Sequence, residues 1–200
     1  MATDYQRLIA DLLAFYDFRD KTVISVGAGG GQLIEFGRKA AKVLALDNDA
    51  QALELLRENL RIAGLESRFE PILGDFFEAD LKGDVLYFEF SLHEMRDPGA
   101  AVERGLAMAP AVVVFDHYPG SEWAYFTAEE RKVAASWASL GRFPVKKTES
   151  HQAVQIFNDY EELFQKVKGQ GETSLARIER YRGQTGIRIP MSYGLALVAR

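Results

Sequence analysis

Gly27, Gly29, Gly30 and Gly31, broken only by Ala28, follow directly on the β-branched run TVISV at residues 22–26. Glycine removes the side chains that keep a ligand off the backbone. A turn leading from a strand into a helix then aims free N–H groups and a helix dipole at a negative or polar group. A second apolar run, VLALD at 43–47, ends in Asp47, twenty residues beyond Gly27. That is the spacing at which a second strand brings an acid to the two hydroxyls of a ribose. Asp49 is better placed to cap the next helix, which leaves Asp47 for a ligand. His93 and His117 each follow a later apolar run. Histidine is the side chain best suited near neutral pH to take a proton from a reacting hydroxyl or amine. The chemistry these types and spacings suggest is a nucleoside held by its ribose beside a proton acceptor.

Such residues meet only if a sheet delivers them to one edge. TVISV (22–26), VLALD (43–47), FEPIL (69–73), DVLYFEF (84–90) and AVVVFD (111–116) are apolar nearly throughout. Strands of that kind are buried on both faces, hence parallel and flanked by helices. Helical spacing occupies 32–41, 50–63 and 98–109, with Asp49 as N-cap and Gly64 as terminator of the second. Residues 3–18 form an amphipathic lead-in helix, placed over the pocket as a segment 1–20, and 21–200 make one domain. After Asp116 the spacing predicts an aromatic loop HYPGSEWAYF, helices at 127–140 and 159–168, and a closing pair of strands, SLARIERYRG (174–183) and MSYGLALVAR (191–200). Residues 141–157 fit a loop or an edge strand equally.

The formal net charge of −5 and pI near 5.3 argue against a phosphate-neutralising surface, so no nucleic-acid partner is expected. The absence of cysteine excludes disulfides, thiolate metal sites and a cysteine nucleophile. Asp4, Arg7 and Asp11 interrupt the N-terminal apolar residues, and no uncharged run reaches membrane-spanning length, so a cytoplasmic protein is expected. His93, Glu94, Asp116 and His117 offer nitrogen and oxygen ligands, but no recognised spacing joins them and no metal is assigned.

From Gly27 the sixth residue is Gln32, where a dinucleotide fingerprint needs glycine; Gly27, Gly29 and Gly31 make a G-x-G-x-G pattern instead. The chain here resembles the class I S-adenosylmethionine-dependent methyltransferases, whose first motif is that pattern after a strand and whose second strand ends in an acid. The likeness continues through DNDAQALELLRENLRIAGL and ILGDFFEADLKGDVLYFEFSLHEMRDP and covers about residues 20 to 120. It implies a Rossmann-like, seven-stranded, mostly parallel α/β sheet with helices on both faces and a closing antiparallel hairpin. It also implies S-adenosylmethionine as cofactor, held by Gly27, Ala28, Gly29, Gly31, Gln32, Asp47 and Asn48, with Asp75 and Phe76 at the adenine and Glu89 and Phe90 near the methyl. Ser25 stands where the family carries an acid, two residues before the first glycine. Glu89 or Glu35 would have to replace it.

Methyl transfer is an in-line displacement that depends chiefly on alignment and exclusion of water, with His93 and His117 as candidate bases. Members of the family that methylate amides or exocyclic base nitrogens carry an N-P-P-Y-like motif at the fourth strand, where this chain has EFSLHEM, so the resemblance does not extend to that subclass. The LHEM-x-DP segment resembles the small-molecule methyltransferases instead, which implies a small-molecule acceptor. A non-catalytic nucleoside-binding module, motivated by Ser25, and a nicotinamide-dependent oxidoreductase remain as alternatives.

Overall fold

The computed structural model describes residues 4–200. The lead-in helix is α1 (Tyr5–Phe15), with Asp4 accepting from the Arg7 N–H as its cap; its first predicted position, Thr3, lies outside the described residues. Five parallel strands follow, β1 (Thr22–Val26), β2 (Lys42–Asp47), β3 (Phe69–Leu73), β4 (Val85–Glu89) and β5 (Ala111–His117). Two long antiparallel strands, β6 (Val145–Asp159) and β7 (Thr185–Ala199), complete a seven-stranded sheet ordered β3-β2-β1-β4-β5-β7-β6. The inner parallel strands β1, β4 and β5 bury both faces, as their apolar runs require, whereas β3 at the sheet edge is partly exposed. Val23, Val43, Val85, Tyr87 and Val113 join one core cluster, and Ile24, Leu46, Leu86, Phe88 and Val112 the other. Helix α2 (Ala50–Ala63) packs on the first face, and α3 (Pro98–Met108) on the second. Asp49 caps α2 by accepting from the Gln51 and Ala52 N–H groups, and Gly64 ends it at φ +66°.

Three expectations change. Residues 32–41 hold only a short 3-10 helix, Ile34–Arg38, within which Phe69 crowds Gly37 so closely that no Cβ would fit there. The aromatic loop contains a short helix, α4 (Glu122–Phe126), capped by Ser121; α5 (Glu130–Leu140) follows it. SLARIERYRG is helical, not a strand: Ser174 and Ile178 are buried four residues apart within α7 (Glu172–Ile178), a period of 3.6. The antiparallel pair is therefore β6 with β7, and the ambiguous 141–157 stretch supplies most of β6. Helix α6 (Tyr160–Val167) lies between those strands.

Strand β7 pairs with β5 only from Tyr193 to Ala199. Its first half, Thr185 to Ser192, pairs with β6 alone and runs past the carboxyl edge of the parallel strands. Helix α1 is tied to this sheet by Leu8, Leu12 and Phe15 in the core and by the Tyr193 hydroxyl, which donates to Asp11 at 2.5 Å. Among the described residues no helix is long and apolar enough to cross a membrane.

Candidate active site

Strands β1 and β4 are neighbours, with Val26 opposite Phe88, while their connections run to opposite sides of the sheet. This is the switch point at which open α/β sheets bind ligands. Gly27 leaves β1 at φ +73°, and a Cβ there would lie 2.3 Å from the Ser91 Cβ. The Ser91 hydroxyl donates to the Val26 carbonyl at 2.7 Å and locks the ends of β1 and β4 together. Only glycine fits both the conformation and the space. Gly31, at φ +79°, instead makes room for Leu56 of α2.

Two cavities open at this edge. The larger, about 680 Å³, is lined by Asp47, Asn48, Asp75 and Phe76 among others. The smaller, about 300 Å³, is lined by Gln32, Glu89, His117 and Trp123, with Tyr5 and Leu8 of α1. Gly27 and Phe90 line both. Ala28, Gly29 and Gly31 shape the turn and are among the linings of neither. Asp47 accepts from the Gly29 N–H at 2.9 Å through one oxygen and from the Asp49 N–H at 2.9 Å through the other. The carboxylate thus braces the glycine turn and retains a lone pair on each oxygen for a ligand. Asp75 is exposed and accepts from the Phe77 N–H at 2.6 Å. Phe76 is buried edge-on against Phe88.

Ser25 lies inside β1, 1% exposed and outside both cavity linings. The buried acid of the small cavity is Glu89, whose carboxyl is pushed up to about 8 by burial and then by the charge of Asp47. Phe90 takes φ +47°, a conformation uncommon for a bulky residue, and its N–H donates to the Phe115 carbonyl at 2.7 Å. Its ring rests 4.9 Å from those of Phe115 and His117.

The two histidines part company. His93 lines neither cavity. Its Nδ1 lies 2.5 Å from Asp116 Oδ1, its N–H donates to Asp116 Oδ2 at 2.9 Å, and its Nε2 lies 3.3 Å from Glu94 and 3.8 Å from Glu129. Burial opposes a charge on the ring, yet the bonds to Asp116 and Glu94 outweigh it and raise His93 to about 10. His93 is therefore a buried imidazolium among carboxylates, with Lys132 closing the cluster 2.7 Å from Glu94. His117 is buried too, but its Nδ1 has no hydrogen-bond partner. Burial lowers it to about 4, against the pull of Asp116, so its ring is neutral at neutral pH.

Glu94, Met95 and Arg96 in the large cavity, and Gln155, Lys166 and Met191 in the small one, line the cavities without having been expected there from the sequence. The first three directly follow the β4 motif and were within reach. The other three come from β6, α6 and β7, where no motif marks them.

The fold is that of known methyltransferases. A protein from Bacillus halodurans C-125 described as a methyltransferase superposes with a TM-score of 0.70 at 14% identity, covering 98% of each chain. The magnesium protoporphyrin IX methyltransferase of Synechocystis PCC 6803, solved with bound SAM, gives 0.60 at 15% identity over 98% of this chain and 78% of that one. In sequence, a tRNA (guanine(37)-N(1))-methyltransferase of Methanocaldococcus jannaschii is 37% identical over 62 residues, 31% of this chain and 18% of the relative. A ribosomal protein L11 methyltransferase of Pasteurella multocida is 36% identical over 83 residues, 40% of this chain and 28% of the relative. The chain thus spans less than a third of the length of these curated relatives.

Residues 21–127 match the family described as RNA cap guanine-N2 methyltransferase. That match, with relatives named for tRNA and a ribosomal protein, overturns the expectation of a small-molecule acceptor and of no nucleic-acid partner. Net charge is a sum over the whole surface and says nothing of one pocket, and a tetrapeptide missing after β4 does not exclude a base nitrogen. With just over half its length matched, the chain belongs to the RNA cap guanine-N2 methyltransferase family, within the class I S-adenosylmethionine-dependent methyltransferases.

Proposed function

We propose that the chain transfers the methyl group of S-adenosylmethionine to a guanine nitrogen in RNA. The observation that carries this reading is the meeting of two cavities at Gly27 and Phe90, one edged by Asp47 and Asp75, the other by an unpartnered buried histidine nitrogen. The family match and the guanine methyltransferase among the relatives support the acceptor.

The larger cavity would take the donor's nucleoside. Asp47 and Asn48 would hold the ribose hydroxyls, Asp75 the adenine amino group and Phe76 the ring, while Gly27 would leave the backbone bare beside it. Gln32 and Glu89 would hold the amino-acid tail, with Glu89 in place of the acid missing at Ser25. The sulfonium supplies an electrophilic methyl carbon and a neutral thioether leaving group. The acceptor base enters the small cavity, whose Phe90, Trp123 and His117 walls suit a planar ring. As the nitrogen–carbon bond forms and the carbon–sulfur bond breaks, the nitrogen's proton passes to His117. His93 is already protonated and holds Asp116, which accepts the His117 N–H at 2.8 Å; it is a positioning residue.

Methyl-tritiated donor incubated with total RNA and with ribosomal protein tests the acceptor. Label is expected in guanosine after nuclease digestion of the RNA. Label confined to protein would overturn the reading.

Two further outcomes bear on the donor. Asp47→Ala is expected to weaken S-adenosylmethionine by about 1.5–3 kcal/mol, the scale for a hydrogen bond to a charged group; calorimetric titration of a folded variant reads it, and unchanged affinity removes Asp47 from the site. Glu89, raised to about 8, is mostly protonated at pH 7 and must ionise to pair with the donor's ammonium. Donor binding is therefore expected to release close to one proton at pH 7, seen as a dependence of the binding heat on buffer ionisation enthalpy. Glu89→Gln should lose that dependence.

A further inference from the structure

We propose that Lys166 binds a backbone phosphate of the RNA acceptor next to the base in the small cavity; this rests on the RNA reading above. Lys166 lies in the last turn of α6 and lines the small cavity beside His117. Other cations outside the small cavity are paired with acids. Lys132 pairs with Glu94 at 2.7 Å, Arg177 with Glu130 at 2.8 Å, Arg180 with Glu122 at 3.2 Å and Arg182 with Glu179 at 2.7 Å. Among the described residues Lys166 makes no ion pair, although Glu162 precedes it by one helical turn, where such pairs commonly form. The Glu162 N–H and carboxylate serve the helix start instead, accepted by Asp159 and accepting from the Asn158 N–H at 2.7 Å.

An unpaired ammonium on a cavity wall is a point charge suited to an anion. Two anions would enter this site, the donor's carboxylate and the acceptor's phosphate. The placement of Lys166 favours the second. Lys166 lines the cavity with His117 and Trp123, at the acceptor end, and its charge helps to lower His117. A phosphate held there fixes the sugar, so that the base reaches past Trp123 and Phe90 toward the methyl carbon. Residue 166 also lies beyond the family match, which ends at 127, so this contact belongs to the part of the chain that sets the acceptor.

The test is steady-state methyl transfer from labelled donor to total RNA by the wild type, Lys166→Gln and Lys166→Arg, with donor affinity read separately by calorimetry. Lys166→Gln is expected to raise the KM for RNA about tenfold with kcat and donor Kd unchanged. It should flatten log KM against log salt by about 0.7, one single-strand phosphate contact, and Lys166→Arg should restore both. An unchanged KM and salt slope would overturn the proposal. So would a weakened donor Kd with an unchanged RNA KM, which would give the ammonium to the donor's carboxylate. Wild-type label found only in protein would remove the RNA reading and the phosphate contact together, whereas RNA labelled equally by wild type and Lys166→Gln would remove the contact alone.

Discussion

His117→Ala is expected to lower the turnover number for RNA methylation by about 10²- to 10⁴-fold, the usual share of a positioned proton acceptor, while donor Kd stays unchanged. The imidazole is the titratable side chain on the acceptor wall whose buried nitrogen lacks a partner. Burial also holds it down to about 4, so the base form is fully present at neutral pH. Turnover should be level through neutrality and fall only as pH drops toward that value. Because truncating a buried ring also leaves a void, His117→Gln serves as the volume-matched control. Loss of turnover in both variants, with melting temperature preserved in the second, supports the role. Full activity in His117→Gln would end it.

Asp116→Ala is expected to destabilise the fold by about 3–5 kcal/mol, the cost of removing one partner of a buried ion pair. Asp116 is 0% exposed and accepts from the His93 N–H, the His93 ring and the His117 N–H. Its loss strands three buried donors and an imidazolium. Urea denaturation reads this as a lower midpoint at unchanged slope. The same pair sets a pH dependence. His93 stands near 10 in the fold against an ordinary 6.5, so the folded state holds the proton more tightly than the unfolded chain. Its stabilisation is complete below about pH 6.5 and is lost as pH rises through 10. Wild-type stability should therefore decline across that window and His93→Gln should show no matching decline; a flat wild-type profile would mean the ring is neutral in the fold.

The glycine turn and the strand ends around it were legible because their requirements are local. A bare turn needs glycine at Gly27, a strand end carries Asp47, and buried parallel strands need unbroken apolar runs. The smaller cavity was not, because it is assembled from residues far apart. Gln155, Lys166 and Met191 meet His117 only once β6 and β7 are paired, and no spacing announces that. SLARIERYRG misled because alternation and a three-to-four-residue period share positions over so short a stretch. His93 and His117 looked equivalent as residues following strands. What separates them is Asp116, which lies within hydrogen-bond reach of one ring and binds only the backbone of the other.

The overhang of β6 and β7 beyond the parallel strands has an evolutionary corollary. Thr185 to Ser192 take their strand pairing from β6 and not from β5, so drift in their length or composition would reshape the smaller cavity, which Met191 lines, without disturbing the register of the parallel strands. Variation confined to that overhang would leave the paired ends of β1 and β4 as they are.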